Sequence, residues 1–376
     1  MMESQQPWIE LHEQTEAART PQGSDVYGVR AQFAFMVTPK PFSERMVMKW
    51  GWNAGAAFEE ALGRIHQFVM ALHYRNYQTL AFYGSFQKTI ALRCLCFPET
   101  QTLSLCLVAG ICGQNADVAR ANALDFFYEL SASLPYDWVF TPIGSQDPFR
   151  LYSGADLIQN PSEAHSMVEI GRYESTLSNA QSKQYLLGEW RSSTYANELI
   201  WRALANSPVP VLLSVLLQPT LLYEAELNIL HQLTSQAQED PEQNPSLAHQ
   251  REFAWAADLT GKRLHSWRFP YLLQVHLVSS QRVPPFIERM VGSTLTYSDE
   301  LDSNPPGYFA IYPNGNQRFW QESLQGLTPI FGVSGGSKAY QRLRLLSSPK
   351  EACAVLQLPY PNEYGIPGVN FIHLEP

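Results

Sequence analysis

Charge is scarce in this chain: 16% of its 376 residues are Asp, Glu, Lys or Arg, and the balance is negative, −9 at pH 7. The absence of any Lys/Arg-rich run argues against general nucleic-acid affinity, which comes mainly from cations that neutralise phosphates. The densest basic group, Lys338 with Arg342 and Arg344, holds only three charges and reads as one solvated face. Cysteine is sparse too. Cys94, Cys96, Cys106, Cys112 and Cys353 form no Cys-x-x-Cys and no Cys/His ligand cluster. Cys94 and Cys96 share one face of a strand, as buried small hydrophobes in a reducing compartment would. No apolar run is long enough to span a bilayer, since Val209–Leu217 is about half a span and carries Pro210. The amino terminus, Met1 to Gln6, is polar and lacks a signal-like apolar region. These absences predict a cytoplasmic protein without membrane insertion and without strong direct nucleic-acid binding.

Catalytic and cofactor motifs are incomplete. Gly332-Val333-Ser334-Gly335-Gly336 spells Gly-x-Ser-x-Gly, the pattern of a nucleophile elbow. The only downstream histidine is His373, which leaves no room for strands to carry triad partners. A flexible loop with glycine at positive φ is the competing reading. The same stretch fails as a phosphate loop. Ser337 stands where the second Gly of Gly-x-x-x-x-Gly-Lys-Ser/Thr belongs, and Ala339 stands where the hydroxyl belongs. The nine histidines show no His-Glu-x-x-His, and His66 and His73 are seven apart, too far for one metal. The sequence therefore predicts no catalytic residue, no metal site and no cofactor.

What is present is apolar and aromatic: 45% hydrophobic and 12% aromatic residues, with 9 Trp and 18 Tyr. That composition fits a folded chain and leaves aromatics for interfaces as well as for cores. Residues 26–37 alternate as a strand, and a helix follows at about 54–72. Strand-like runs occupy 78–84, 87–97 and 102–109. In the middle run, Thr89, Ala91, Arg93 and Leu95 lie on one face and Ile90, Leu92, Cys94 and Cys96 on the other. Asn115 opens a helix with an apolar stripe through Ala119, Ala123, Phe126, Phe127, Leu130 and Leu134, and Trp138-Val139-Phe140 returns as a strand. Residues 142–184 are polar and irregular and read as a linker or exposed loop, with room for short helical pieces.

A second set follows: a helix at 194–206, an apolar strand at 209–217, helices around 222–233 and 248–265, a strand at 271–278 and a helix at 284–296. The shared order predicts an α+β protein of two ferredoxin-like or small antiparallel-sheet units covered by helices. The expected division is 1–142 as the first unit, 143–184 as linker, 185–300 as the second unit and 301–376 as an extension.

The carboxy-terminal stretch starts a helix at Ser348-Pro349, continues Lys350-Glu351-Ala352-Cys353-Ala354-Val355-Leu356-Gln357-Leu358-Pro359, and turns at Gly365-Ile366-Pro367-Gly368-Val369. It resembles the junction in HerA/FtsK-superfamily ATPases of conjugation and secretion systems, where a non-catalytic amino-terminal region meets the motor. Similar patterns occur at residues 210–215, 219–226 and 269–275. The resemblance implies a non-catalytic assembly or docking module that forms a homo-oligomer, partners an ATPase motor subunit, or does both. The tail residues Val355, Leu356, Leu358, Pro359, Pro367 and Gly368 would contribute the contacts. Two other readings are a self-assembling structural protein of a phage-like or secretion particle, and a serine hydrolase using the loop at 332–336.

Overall fold

The computed structural model describes residues 6–13, 28–39, 54–83, 88–160, 165–178, 183–191, 196–239, 256, 259–263, 266–296, 307–331, 338–356, 358–359, 366 and 368–374. The elements in chain order are β1 (Glu10–Glu13), β2 (Val29–Pro39), α1 (Ala54–Tyr83), β3 (Thr89–Phe97), β4 (Thr102–Gly113), α2 (Ala116–Ser131), β5 (Trp138–Pro142), α3 (Gln146–Tyr152) and α4 (Ala155–Gln159). There follow β6 (Met167–Arg172), β7 (Glu174–Ser178), β8 (Lys183–Leu187), α5 (Ala196–Ala205), β9 (Val211–Pro219), α6 (Glu224–Glu239), β10 (Tyr271–Ser279) and α7 (Pro285–Thr296). The last are β11 (Tyr308–Ile311), α8 (Gln317–Gly326), α9 (Lys338–Leu345), β12 (Leu346–Ser347), α10 (Pro349–Val355) and β13 (Asn370–Phe371).

The topology is a duplication of one plan. β2-α1-β3-β4-α2-β5 forms four antiparallel strands in the order β5-β2-β4-β3. β6-α5-β9-β10-α7-β11 repeats that order as β11-β6-β10-β9, with the β7–β8 hairpin and α6 inserted. Each half is thus a ferredoxin-like βαββαβ unit with strand order 4-1-3-2. The halves join edge to edge. β3 pairs antiparallel with β9, from Ile90↔Leu217 to Leu95↔Leu212, which makes a single eleven-stranded sheet.

Alternation splits the strands into two unlike faces. The face under α1, α2, α5, α7 and α10 is apolar: Phe33 and Phe35 on β2, Leu92 and Cys94 on β3, Leu105 and Leu107 on β4, Leu213 and Val215 on β9, Leu273 and Val275 on β10. Cys94 and Cys96 do share it. The opposite face carries Arg30, Gln32, Arg93, Ser104, Glu169, Ser214, Gln274 and His276, all buried. Its cover is α3, α4, α8 and the chain to Ile330, through Phe149, Ile158, Trp320, Leu324, Leu327 and Ile330.

Three segments differ from the sequence expectation. The run 78–84 is helical up to Tyr83, because α1 meets no Gly or Pro between Gly63 and Gly84 and a short apolar run has no decisive period. The stretch 142–184 contains α3, α4, β6, β7 and the start of β8, and β6 is buried along its whole length between β10 and β11. The charged residues of that strand, Glu169 and Arg172, are both paired inside. The 301–376 extension supplies α8 to the polar face and α10 to the apolar one. No helix among the described residues is long and apolar enough to cross a membrane.

Candidate functional site

The tail builds the most elaborate junction of the molecule, starting from its helix cap. Ser348 is extended, with φ −73° and ψ 162°, and Pro349 begins the helix. The Ser348 hydroxyl accepts from Glu351 N at 3.2 Å, and Glu351 Oε2 accepts from Ser348 N at 2.8 Å. This reciprocal capping box satisfies donors that a helix start otherwise leaves open. The other Glu351 oxygen accepts from Arg172 Nη1 at 2.5 Å and from Trp190 N at 3.2 Å. Arg172 also donates to the carbonyls of Arg344 (3.2 Å) and Leu346. One carboxylate therefore ties α10 to β6 and to the segment after β8.

Beyond the cap, the chain packs and then crosses. α10 lies on α1 of the first unit and β10 of the second. Val355 and Leu356 are buried in the shared core, and Leu358 is half-buried against it. Val355 also closes a cavity of about 20 Å³ lined by Leu92, Cys94, Ile200, Trp201, Leu213, Val215 and Leu295. Its lining comes from both units and is wholly apolar. Pro359 is buried, and its carbonyl accepts from Trp138 Nε1 at 2.8 Å. Gly368 is exposed at φ +77°, a left-handed conformation that favours glycine, with nothing near a would-be Cβ. β13 then pairs parallel to β4 at Thr102 and Leu103, and Phe371 packs edge-on to Trp201 of α5. Pro367 lies outside the described residues.

Of the tail residues expected to make contacts, the structure brings Val355, Leu356, Leu358 and Pro359 together, against partners in the same chain. Val355, Leu356 and Pro359 are buried and offer no area to another molecule, so among the described members of the set Gly368 is exposed and Leu358 half-buried.

Buried charges surround the junction. Arg344 Nη1 lies 3.0 Å from Glu169 Oε1, while Arg342 pairs with Glu226, donates to Leu221 O at 2.9 Å and sits 4.4 Å over the Tyr223 ring. Arg342 and Arg344 are thus consumed internally and do not form the solvated face their spacing suggested. Arg263 donates to the carbonyls of Leu187 and Gly188, and burial, then Arg172, lowers its pKa to about 10. His276 is held neutral, with its pKa lowered to about 4 by burial, opposed by Glu169 and reinforced by Arg344 and Arg93. The ring of Trp320 meets it edge-on at 5.6 Å.

A second bracket closes the polar face. Arg93 donates to Leu324 O at 2.5 Å and to Ser153 O at 3.2 Å, and Gln32 donates to Gln325 O at 2.5 Å. A cation at the carboxy-terminal carbonyls of α8 is favoured by the helix dipole. Gln274 donates to Ile330 O at 3.0 Å and accepts from Ile330 N at 2.7 Å. The bracket leads into Gly332-Val333-Ser334-Gly335-Gly336, which lies outside the described residues together with Ser337. Among the described residues no group of three or more His, Cys, Asp or Glu could hold a metal.

Sequence reasoning missed Arg172, Glu169 and Glu226 as partners. The available signal was the Ser-x-x-Glu spacing at 348–351, which marks Glu351 as a capping residue. Their pairing partners are 116 to 179 positions away and leave no local trace. Compared with protein-family models and with curated proteins, the chain matches none.

Proposed function

We propose that this chain is a non-catalytic assembly or docking module of a HerA/FtsK-like ATPase system, of the kind that translocates DNA or serves conjugation, secretion or defence machinery. The observation that carries the reading is the clasp made by the described residues between 348 and 374. Its helix is locked by Glu351 and Arg172, its apolar residues fill the core where both units meet, and its end is paired with β4. A tail fixed in this way holds the surface around Gly368 at a defined position relative to both units. A module that positions a motor requires that property, because a flexible linker would transmit neither orientation nor load. The resemblance of the tail sequence to the motor junction supplies the kind of partner.

The test is direct association. The purified chain, mixed with a HerA/FtsK-type ATPase, should co-elute as a defined complex in size-exclusion chromatography with light scattering. A Gly368→Cys variant carrying a photocrosslinker should label the motor. Separate elution together with no crosslink overturns the proposal. The hydrolase alternative makes the opposite demand of Ser334. Under the assembly reading, Ser334→Ala changes stability by no more than about 0.5 kcal/mol and abolishes no activity. Loss of an ester turnover, with the fold retained, would establish the enzyme.

A further inference from the structure

The two ends of the sheet are unlike. At the first unit, the outer side of β2 is shared by two short strands, β1 opposite Val29–Gln32 and β5 opposite Phe35–Pro39. β1 carries Glu10, His12 and Glu13. β5 ends on Pro142, and Asp137, just before it, is gripped by the Arg64 guanidinium at 2.5 Å. Charges and proline are the usual means of blunting a sheet edge. At the second unit the outermost strand is β11, Tyr308-Phe309-Ala310-Ile311, with no charge and no proline. Among the described residues it pairs with β6 alone. Phe309 is 44% exposed, and its ring stacks on Tyr173 with centroids 5.7 Å apart and planes 20° apart. Behind the strand, Tyr312 donates to Glu288 at 2.8 Å and stands edge-on to His165.

We propose that β11 is a pairing edge at which a second copy of this chain adds its own β11, antiparallel, to close a two-fold dimer. Three observations select a second copy. An unpaired strand edge presents backbone donors and acceptors that another strand satisfies, and an uncharged Tyr-Phe-Ala-Ile edge meets itself without the like-charge repulsion that a chain of net charge −9 otherwise brings. The protein already joins its own halves by antiparallel edge pairing, at β3 and β9. A two-fold axis normal to the sheet keeps corresponding faces together, so Phe309 and Tyr173 of both copies fall on one surface and cover each other. Among the described residues the main strand order ends on β11 at one side and on the blunted β1 and β5 at the other, and an isologous contact made through β11 closes at two copies. The inference rests on the assembly reading for its biological role and names the partner. Its test contains no motor, so a failed dimer and a failed motor complex are separate results.

The experiment is light scattering of the full chain across a concentration series from about 1 to 100 μM. The range brackets a modest interface, because four paired residues a side bury less than a standard protein interface. The expected mass rises to twice the 42.5 kDa of the chain and stops there. Phe309→Lys places a charge at the edge and should weaken the dimer at least tenfold, with an unchanged circular dichroism spectrum. Phe309→Ser, which removes area without adding charge, should weaken it less, and keeps the test valid if the lysine variant does not fold. Val139→Lys, at the blunted end, should leave the dimer intact. A monomer at every concentration, open-ended polymerisation, a dimer indifferent to both Phe309 variants, or a dimer lost in Val139→Lys would each overturn the proposal.

Discussion

The two faces of the sheet are equally buried but are held by different forces. The helix-covered face is a continuous apolar layer across both units, from Phe33 to Leu277, where burial is worth about 1.5–3 kcal/mol for each fully buried large side chain. The other face alternates apolar residues with Arg93, Gln274 and Glu169, each aimed at a particular carbonyl, amide or charge, and with His276, whose ring nitrogens have no hydrogen-bond partner among the described residues. The first face depends on volume and tolerates exchange of one hydrophobe for another. The second depends on partners, because an unpaired buried polar group costs more than its bond contributes. The comparison teaches that a strand's polarity does not report its burial when the partners come from far along the chain.

Removal of the clasp is expected to break the comparison most severely. Truncation after Ser348 strips Ala352, Val355 and Leu356 from the apolar face and leaves Arg172 buried without its carboxylate. The truncated chain should lose cooperative thermal unfolding by circular dichroism. An unchanged melting transition would show the clasp to be an appendage.

Next in size is a cavity in the aromatic layer. Phe33 makes edge contacts with Phe35, Phe126 and Phe127 at centroid distances of 5.5–5.9 Å. Phe33→Ala should cost about 3–5 kcal/mol in urea denaturation, and Phe33→Leu much less. Equal losses would mean that the layer depends on ring geometry rather than on volume.

The polar face should show itself in pH. The His276 pKa is lowered in the fold, to about 4 from 6.5, so the unfolded chain binds the proton more readily. The stability it lends is complete above about pH 6.5 and is lost as pH falls towards 4, with no further loss below. The span corresponds to about 3 kcal/mol. Denaturation curves of the wild type and of His276→Gln between pH 7 and 4 should converge on acidification. Parallel pH profiles would show that His276 is not held neutral.

The smallest effect concerns the bracket. Gln274→Leu removes one acceptor and one donor from Ile330 and should cost about 1–3 kcal/mol, while Gln274→Glu, which keeps the acceptor, should lose less near pH 4 than near pH 8. Hydrogen exchange at the Ile330 amide is the sharper readout. Exchange unchanged in Gln274→Leu would place the anchor of this segment elsewhere.

Much of the plan was legible in the residues. Apolar alternation marked β2, β3, β4, β9 and β10, and a 3.6-residue stripe with Asn115 at its start marked α2, whose cap accepts from Val118 N at 2.9 Å. The repeated helix-strand order pointed to two like units, because local periodicity depends on which residues face a core. β6 was not legible, since its Glu169 and Arg172 are neutralised by Arg344 and Glu351, which lie 175 and 179 positions away. At the tail, the sequence by itself determined a helix start at Ser348-Pro349 and a Pro/Gly turn over residues 365–369. Only the tertiary structure decided where that helix sits. Capping and backbone preference act over a few residues, whereas the burial of Val355 and Leu356 depends on two units having first been joined through β3 and β9.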